Sequence, residues 1–288
     1  MNRLRIYLSF VRFSHSVFAL PFALTGALLA LHAFPLAAGE VLRRAIWIVV
    51  AMVAARSAAM GFNRLADASF DARNPRTAMR ELPSGAMTRR EATVFVLAAS
   101  AVFVAASYEL SATCFALSPL ALAIVFWYSL AKRYTTYTQL FLALAMAVAP
   151  VGGWLAAGGP AAALEPWILG AAIGSWVGGF DILYACQDLD FDRAAGLRSI
   201  PVRFGVPQSL VISRAMHVIT IVCLAALAGV ADLGRLYLVG VAIVAVLLAY
   251  EQSLVSADDL SQVKRAFDLN GYVGILYFAA TAASLYVR

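Results

Sequence analysis

The amino-acid sequence predicts an all-α integral membrane protein with nine transmembrane helices. The first observation is composition, because 62% of the 288 residues are hydrophobic and only 13% are charged, whereas soluble proteins carry about 25% charged residues. The second is a mean hydropathy of +0.82. The third is that the apolar residues form separate runs of about 20 residues, the length of helix that crosses a bilayer. Each run is expected to be helical, since an open sheet leaves unpaired backbone groups in lipid.

The first apolar run follows the basic segment MNRLRIYLSFVRF. No small-residue cleavage site ends this run, so we expect it to be retained as a helix and not removed as a signal peptide. Long polar connections follow the second, sixth and eighth runs, and all nine are expected to form one domain, residues 1–288. The predicted spans lie near residues 14–34, 45–63, 92–109, 111–131, 138–158, 166–187, 208–230, 235–254 and 269–287.

Arginine and lysine are unevenly divided between the two sides of this predicted topology. The N-terminus and the segments 64–90, 132–137, 188–207 and 255–268 hold 16 of the 22 basic residues. Because cytoplasmic loops are rich in these residues, this side is expected to be cytoplasmic, with the C-terminus outside the cell's inner (plasma) membrane. Topology and anionic ligands then account for the net charge of +6 without a nucleic-acid partner.

Two acidic clusters lie on this cytoplasmic side. Asn63, Asp67 and Asp71 recur every four residues, which places them on one helical face over about 12 Å. Asp181, Asp188 and Asp192 are separated by seven and four residues, which again predicts one face, with Asp190 pointing elsewhere. Two carboxylate-bearing faces in one mouth would repel each other unless cations lay between them. Hard oxygen ligands of this kind suit Mg²⁺.

Basic residues surround both clusters. Guanidinium groups bind phosphate oxygens through paired hydrogen bonds, so carboxylates for a metal beside basic groups for phosphate predict a diphosphate site. The bland alternative is that the arginines only set the topology and that the carboxylates are solvated loop charges. The basic residues nearest the clusters are Arg64, Arg73, Arg76, Arg80, Lys132, Arg133, Arg193, Arg198 and Arg203.

These segments resemble the UbiA superfamily of intramembrane aromatic prenyltransferases. NRLADASFD is similar to the superfamily's NDxxDxxxD motif, and DLDFD fits its DxxxD motif, with Asp188 and Asp192 as the two acids. NPRTAMRELPSG, GLRSIPVRFG and YSLAKRYT resemble the cytoplasmic segments of the 4-hydroxybenzoate and menaquinone branches. One departure is Arg64, where many members carry aspartate. Because position 64 lies about 100° away from the acidic stripe, we expect little loss of metal binding.

The resemblance implies a UbiA-like prenyltransferase fold, a helical bundle around a central cavity with a lateral opening to the lipid bilayer. It implies transfer of a polyprenyl group from polyprenyl diphosphate to the ring of an aromatic acid acceptor, 4-hydroxybenzoate or a dihydroxynaphthoate, in quinone biosynthesis. Asp67, Asp71, Asp188 and Asp192, assisted by Asn63, would hold Mg²⁺. The implied diphosphate contacts are Lys132 and Arg133, with Arg80 and Arg198 as further candidates.

Arg56 lies seven residues before Asn63, on the same face and about 10 Å deeper in the membrane. Ionisable groups at that depth are costly and usually functional, and the resemblance implies that Arg56 holds the carboxylate of the acceptor. Asp181 is open to three roles: a further metal ligand, a partner for Arg56, or a helper in proton removal. Tyr184 shares the face of Asp181 and is expected to line the cavity.

Two alternative functions remain open at this point. One is prenylation of another acceptor, such as homogentisate, haem or chlorophyllide. The other is secondary transport without catalysis, although transporters place ionisable residues near the membrane midplane, whereas these acids cluster at one surface.

Overall fold

The computed structural model describes residues 3–11 and 20–286, and its regular elements are all helical. A 3₁₀ turn, Cys186–Asp188, joins two of the helices, and no strand occurs in the described ranges. In chain order the helices are α1 (Arg3–Phe10), α2 (Leu20–Ala33), α3 (Ala38–Asp71), α4 (Arg89–Leu110), α5 (Ala112–Ala131), α6 (Thr138–Ala156), α7 (Glu165–Ala185), α8 (Leu189–Ala194), α9 (Ile200–Val230), α10 (Arg235–Ser253) and α11 (Val263–Tyr286).

Seven helical segments are long and apolar enough to cross a membrane: α3, α4, α5, α6, α7 with its continuation to Ala194, α9 and α10. The all-helical, multi-pass membrane class is therefore confirmed. The count of nine depends additionally on α2 and α11. Helix α2 has 14 described residues, and positions 14–19 of the predicted span 14–34 lie outside the described residues. Helix α11 opens with Lys264, Arg265 and Asp268 in its first two turns.

Helix α3 is longer than the predicted span 45–63, because it begins at Ala38 and continues to Asp71. The predicted cytoplasmic loop 64–90 is therefore wrong at its start: the connection runs from 72 to 88, and the first acidic cluster is helical. Hydropathy locates the part of a helix that lies in lipid, but a helix satisfies its own backbone and can continue into water. The Thr77 hydroxyl donates to the Asp71 carbonyl over 3.1 Å and helps to close this end.

Helix α1 packs against the connection 72–88. Ile6, Phe10 and Val11 form a small apolar cluster with Met87 and Ala92. Two polar contacts add to it: Arg3 pairs with Glu91 at 2.7 Å, and the Ser9 hydroxyl donates to Glu81 at 2.5 Å. The connection therefore lies over the end of α3 with apolar contacts beneath it.

Helix α7 is the central helix of the bundle and is buried along nearly its whole length. It packs mainly against α6 and α9, with further contacts to α2 and α11. Small residues permit these close contacts: a methyl group on Gly174 would lie 3.1 Å from the Ala143 carbonyl oxygen of α6. The last turns of this helix carry Asp181 and Tyr184.

Helix α9 contains a kink that explains why the predicted span began at 208. Gly205 has φ of 77°, in the left-handed region that glycine adopts without steric cost, and Pro207 follows it. Ser199 caps the preceding short segment by accepting a hydrogen bond from the Val202 amide at 3.3 Å. That segment precedes the kink, and the membrane-spanning part of α9 follows it.

Helices α2 and α6 approach so closely that glycine is required at their crossing. A Cβ atom at Gly153 would collide with the backbone carbonyl of Ala23, whereas one at the adjacent Gly152 would meet no atom within 4 Å. We expect Gly153→Ala to lower the free energy of unfolding by about 1–3 kcal/mol, since backbone atoms must shift. Thermal unfolding in detergent measures this change.

The matched control is Gly152→Ala, which should be neutral or stabilising by up to about 1 kcal/mol because alanine favours the helix. Equal melting temperatures for the two variants would contradict the packing of α2 against α6.

Candidate active site

A cavity of about 290 Å³ lies at the end of the bundle that carries both acidic clusters. It is lined by the ends of α3, α5 and α7, the start of α6, the connection 72–88 and the segment between α7 and α9. Ten of the residues predicted from the sequence to form the site line this cavity: Asn63, Asp67, Asp71, Arg80, Lys132, Asp181, Tyr184, Asp188, Asp192 and Arg198. The structure therefore brings both acidic clusters and three of the four predicted diphosphate contacts together.

Asp67 is buried, with 4% of its surface exposed. The Lys132 ammonium donates to its Oδ2 over 2.6 Å, and Arg133 lies 3.5 Å from its Oδ1. The Asn63 amide donates weakly to Oδ2 over 3.4 Å. Oδ1 has no hydrogen-bond partner within the described ranges, so one oxygen of this carboxylate retains an unused acceptor position.

Asp71 is also buried and forms an ion pair with Arg80. The Arg80 Nη1 donates to both carboxylate oxygens, over 2.8 and 2.9 Å. Arg80 belongs to the connection 72–88, so this ion pair draws the connection back over the final turn of α3. A paired guanidinium and carboxylate is among the stronger protein hydrogen-bond arrangements.

Asp188 is paired with Arg76, which the sequence analysis placed among the basic residues near the clusters but not among the diphosphate contacts. The Arg76 Nη2 donates to both oxygens of Asp188, over 2.9 and 2.7 Å, and Nη1 donates to the Tyr184 hydroxyl over 3.1 Å. Partial burial lowers the pKa of the Arg76 guanidinium, but the Asp188 carboxylate and the Tyr184 hydroxyl outweigh this effect and raise the pKa above its ordinary value. Arg76 therefore ties the connection that follows the first acidic cluster to Asp188 and Tyr184.

The second acidic cluster does not lie on one face of an uninterrupted helix, so that prediction was wrong. Helix α7 ends at Ala185, and the 3₁₀ turn precedes α8. Asp181, Asp188 and Asp192 nevertheless all line the cavity, while Asp190 is exposed and does not. Among the described residues, no basic side chain lies within ion-pair distance of Asp181 or Asp192.

The two basic residues after α5 have different positions. Lys132 lines the cavity, whereas Arg133 does not; its guanidinium donates to the Ala66 carbonyl of α3. Arg198 also lines the cavity. Its backbone amide donates to the Lys132 carbonyl over 2.8 Å, which connects Arg198 to the turn after α5. The Arg198 side chain donates to the Tyr134 carbonyl over 2.7 Å. The prediction that Arg133 contacts the cavity directly is thus not matched by this geometry.

Arg56 lies deeper in α3 and is not among the cavity-lining residues. Its Nε is buried and has no hydrogen-bond partner within the described ranges, and no ion pair joins it to Asp181 there. Arg64 is buried away from the cavity lining, which agrees with its predicted position off the acidic stripe.

The donor set fits a hard divalent cation, although residues 3–11 and 20–286 contain no group of three acids already close enough to hold a metal ion. The carboxylates are separated because three of them turn toward basic partners. Asp67, whose Oδ1 accepts no hydrogen bond within the described ranges, and Asp192, which has no ion-pair partner there, both line the cavity and supply carboxylate oxygens. Carboxylate and amide oxygens are the ligands that Mg²⁺ prefers.

Several polar residues of the cavity could not be selected from the sequence. These are Asn74, Thr77, Tyr128, Ser129, Thr138, Gln139 and Ser199. Gln139 has a structural task, since its Oε1 accepts a hydrogen bond from the Ile200 amide at 3.2 Å. The only sequence signal for Tyr128 and Ser129 is that they precede Lys132 by about one helical turn.

The chain matches known proteins in sequence and in structure. The model of the UbiA prenyltransferase family matches residues 19–279. The 4-hydroxybenzoate octaprenyltransferase of Edwardsiella ictaluri is 34% identical over 239 residues, which cover 80% of this chain and 79% of that protein. The enzyme of the same name from Citrobacter koseri is 32% identical over 249 residues, covering 83% of each chain.

Two solved structures share the fold. A UbiA homologue from Aeropyrum pernix K1, solved in the apo form, has a TM-score of 0.83 and 37% identity over 93% of this chain and 96% of its own. A UbiA homologue from Archaeoglobus fulgidus, solved with GPP and Mg²⁺, has a TM-score of 0.72 and 20% identity over 98% of this chain and 100% of its own.

The partly buried ion pair between Lys132 and Asp67 should contribute to stability. In Lys132→Met, Asp67 keeps only the more distant Arg133, and we expect the free energy of unfolding to fall by about 3 kcal/mol, as when one partner of a buried pair is removed. Thermal unfolding in detergent measures the loss, and adding Asp67→Asn should restore part of it. Lys264→Met is the control, because Lys264 and Asp268 are paired in an exposed position. Equal stability of the two lysine variants would contradict the role of the buried pair.

Proposed function

Because the chain belongs to the UbiA prenyltransferase family, we propose that it transfers a polyprenyl group from polyprenyl diphosphate to a ring carbon of an aromatic acid, with Mg²⁺. The observation that carries this proposal is the convergence of two acidic clusters and four basic residues on one cavity at one end of the bundle. The names of its relatives favour 4-hydroxybenzoate as the acceptor. A dihydroxynaphthoate is the second candidate acceptor.

Asp67, Asp71, Asp188 and Asp192, with Asn63, are the proposed ligands of the metal. When bound, Mg²⁺ would supply positive charge to the diphosphate and so favour its departure. Lys132, Arg80 and Arg198 line the same cavity and are proposed to bind the phosphate oxygens directly. Arg133 is proposed to act at one remove, by holding the end of α3 through the Ala66 carbonyl.

The proposed reaction breaks the bond between the allylic carbon and the diphosphate oxygen and forms a bond from that carbon to the aromatic ring. The ring carbon supplies the electron pair, the diphosphate leaves with the pair of the broken bond, and the ring then loses its proton. Basic side chains stabilise the charge that develops on the leaving diphosphate. The partly buried Asp181 and Tyr184 border the space in which the ring must lie, and Asp181 is the proposed acceptor of the ring proton.

The acceptor carboxylate is proposed to bind Arg56. Support comes from the buried Nε of Arg56, which has no partner within the described ranges. A buried polar atom without a partner is costly, and a carboxylate would match the paired donors of the guanidinium.

The finer topology is also proposed. Nine spans would place the N-terminus and the active-site segments in the cytoplasm and the C-terminus outside, as the distribution of basic residues indicates. All residues of this chain, 1–288, would form a single prenyltransferase domain. Transport is the weaker alternative, because the acids lie at one end of the bundle.

Product identification tests the activity. Membranes containing the protein would be incubated with a labelled polyprenyl diphosphate and each candidate acceptor, and the product mass determined. We expect a prenylated aromatic acid with wild type and no transfer with Asp188→Ala, because a metal ligand is lost. The matched control is Asp190→Ala, which removes an exposed acid two residues away and should retain activity. Similar rates for the two variants, or no product from wild type, would contradict the proposal.

Acceptor specificity tests Arg56. Arg56→Ala should weaken aromatic-acid binding by roughly 30-fold to several thousand-fold, as expected for truncating a desolvated charge pair, with little effect on polyprenyl diphosphate binding. Arg56→Lys should restore only part of the affinity, since lysine lacks the paired donors. Arg214→Ala, which removes an exposed arginine from α9, is the control. An Arg56→Ala variant that weakens both substrates alike would refute the assignment of Arg56 to the acceptor.

A further inference from the structure

Three acids of the site are already neutralised by basic side chains of the protein. Asp67 pairs with Lys132, Asp71 with Arg80, and Asp188 with Arg76. The Asp71 pair joins the last turn of α3 to the connection that directly follows it. The Asp188 pair crosses from that connection to the turn after α7, and so joins two segments that are distant in sequence.

We propose that Arg76 is a placeholder for the metal ion at Asp188 and makes metal binding depend on diphosphate. This inference rests on the proposed function and concerns the order in which its ligands bind. In the structure, Arg76 supplies the positive charge that Asp188 requires. When metal and diphosphate arrive together, the guanidinium transfers from Asp188 to the diphosphate.

The geometry of the pair supports this role. Nη2 of Arg76 bonds both oxygens of Asp188, over 2.9 and 2.7 Å, so a metal ion bound through both oxygens must displace it, and one bound through a single oxygen would lie beside its positive charge. The arginine can leave at small cost, because its side chain is 47% exposed while Asp188 is only 23% exposed. Its guanidinium also lies over the Tyr184 ring, with 5.8 Å to the centroid. Tyr184 thus supports the guanidinium at the cavity lining, within reach of a bound diphosphate.

Charge explains the dependence. A metal ion that binds alone must break the pair and then lies beside a displaced guanidinium of like charge, which weakens its binding. Diphosphate changes the sign of this effect, because its oxygens accept hydrogen bonds from the same guanidinium and lie between the two positive groups. Arg76 should therefore oppose metal binding in the absence of diphosphate and favour diphosphate binding in the presence of metal.

The test measures both effects on the full-length protein in detergent. Mn²⁺ replaces Mg²⁺ so that free and bound ion can be distinguished by electron paramagnetic resonance, and retention of radiolabelled inorganic diphosphate is measured at a fixed Mn²⁺ concentration. In Arg76→Gln we expect Mn²⁺ alone to bind tighter, on the order of fivefold, because an opposing charge and its ion pair are removed. Diphosphate should bind weaker by roughly tenfold or more, because charged hydrogen bonds are lost.

Two further variants complete the design. Arg76→Lys keeps the charge, so Mn²⁺ affinity should stay near that of wild type, while diphosphate affinity falls less than in Arg76→Gln. Arg73→Gln is the matched control in the same connection, because Arg73 is exposed and its guanidinium donates to the Ser69 carbonyl. This variant should change neither affinity.

Opposite shifts of the two affinities in Arg76→Gln support the placeholder role. Shifts in the same direction, or no shift, overturn it, because a residue that only stabilises the cavity would weaken both ligands together. If wild type binds Mn²⁺ but retains no diphosphate, the proposed function itself is contradicted, and Mn²⁺ binding by Arg76→Gln still decides whether the arginine competes with the metal. If neither protein binds Mn²⁺, the placeholder role is overturned as well.

Discussion

Carboxylates that are buried at the end of a membrane helix must be neutralised, and the end of the bundle that holds the acidic clusters is arranged to do so. Asp67 and Asp71 are both less than a tenth exposed, and an isolated charge in such a position would be strongly destabilising. Their partners come from separate parts of the chain, Lys132 after α5 and Arg80 from the connection 72–88. The positions of these two segments are therefore coupled to the charges of α3.

The apolar packing of the bundle also holds these charged segments in position. The buried helix α7 carries Asp181 and Tyr184 on its last turns, and its small residues let α6 and α9 pack against it. Helix α1 contacts the connection 72–88 through Phe10 and its apolar neighbours. The basic side chains of that connection consequently face Asp71 at the end of α3 and Asp188 in the turn after α7, so these two acids are paired before any ligand binds.

The sequence predicted the parts of this architecture that follow from periodicity. Recurrence every four residues correctly placed Asn63, Asp67 and Asp71 on one side of a helix, and apolar runs located the spanning segments. The sequence could not show that α3 continues to Asp71, because hydropathy indicates which residues contact lipid and not where the helical hydrogen bonds end. The 3₁₀ turn before Asp188 has no periodic signal either. Charge alone could not distinguish Arg76, which lines the cavity, from Arg133, which does not. That difference depends on how the irregular segments fold.

The 34 residues of α3 span roughly 51 Å at about 1.5 Å per residue, while the hydrocarbon layer is about 30 Å thick. Helix α3 must therefore tilt or extend beyond the hydrocarbon, and its last turns, which carry Asp67 and Asp71, reach the zone of the lipid headgroups. A substrate with a long apolar tail and a charged head already occupies that depth in the bilayer. Such a molecule can reach the cavity by lateral diffusion within one leaflet, without withdrawing its tail into water or carrying its charged head into oil.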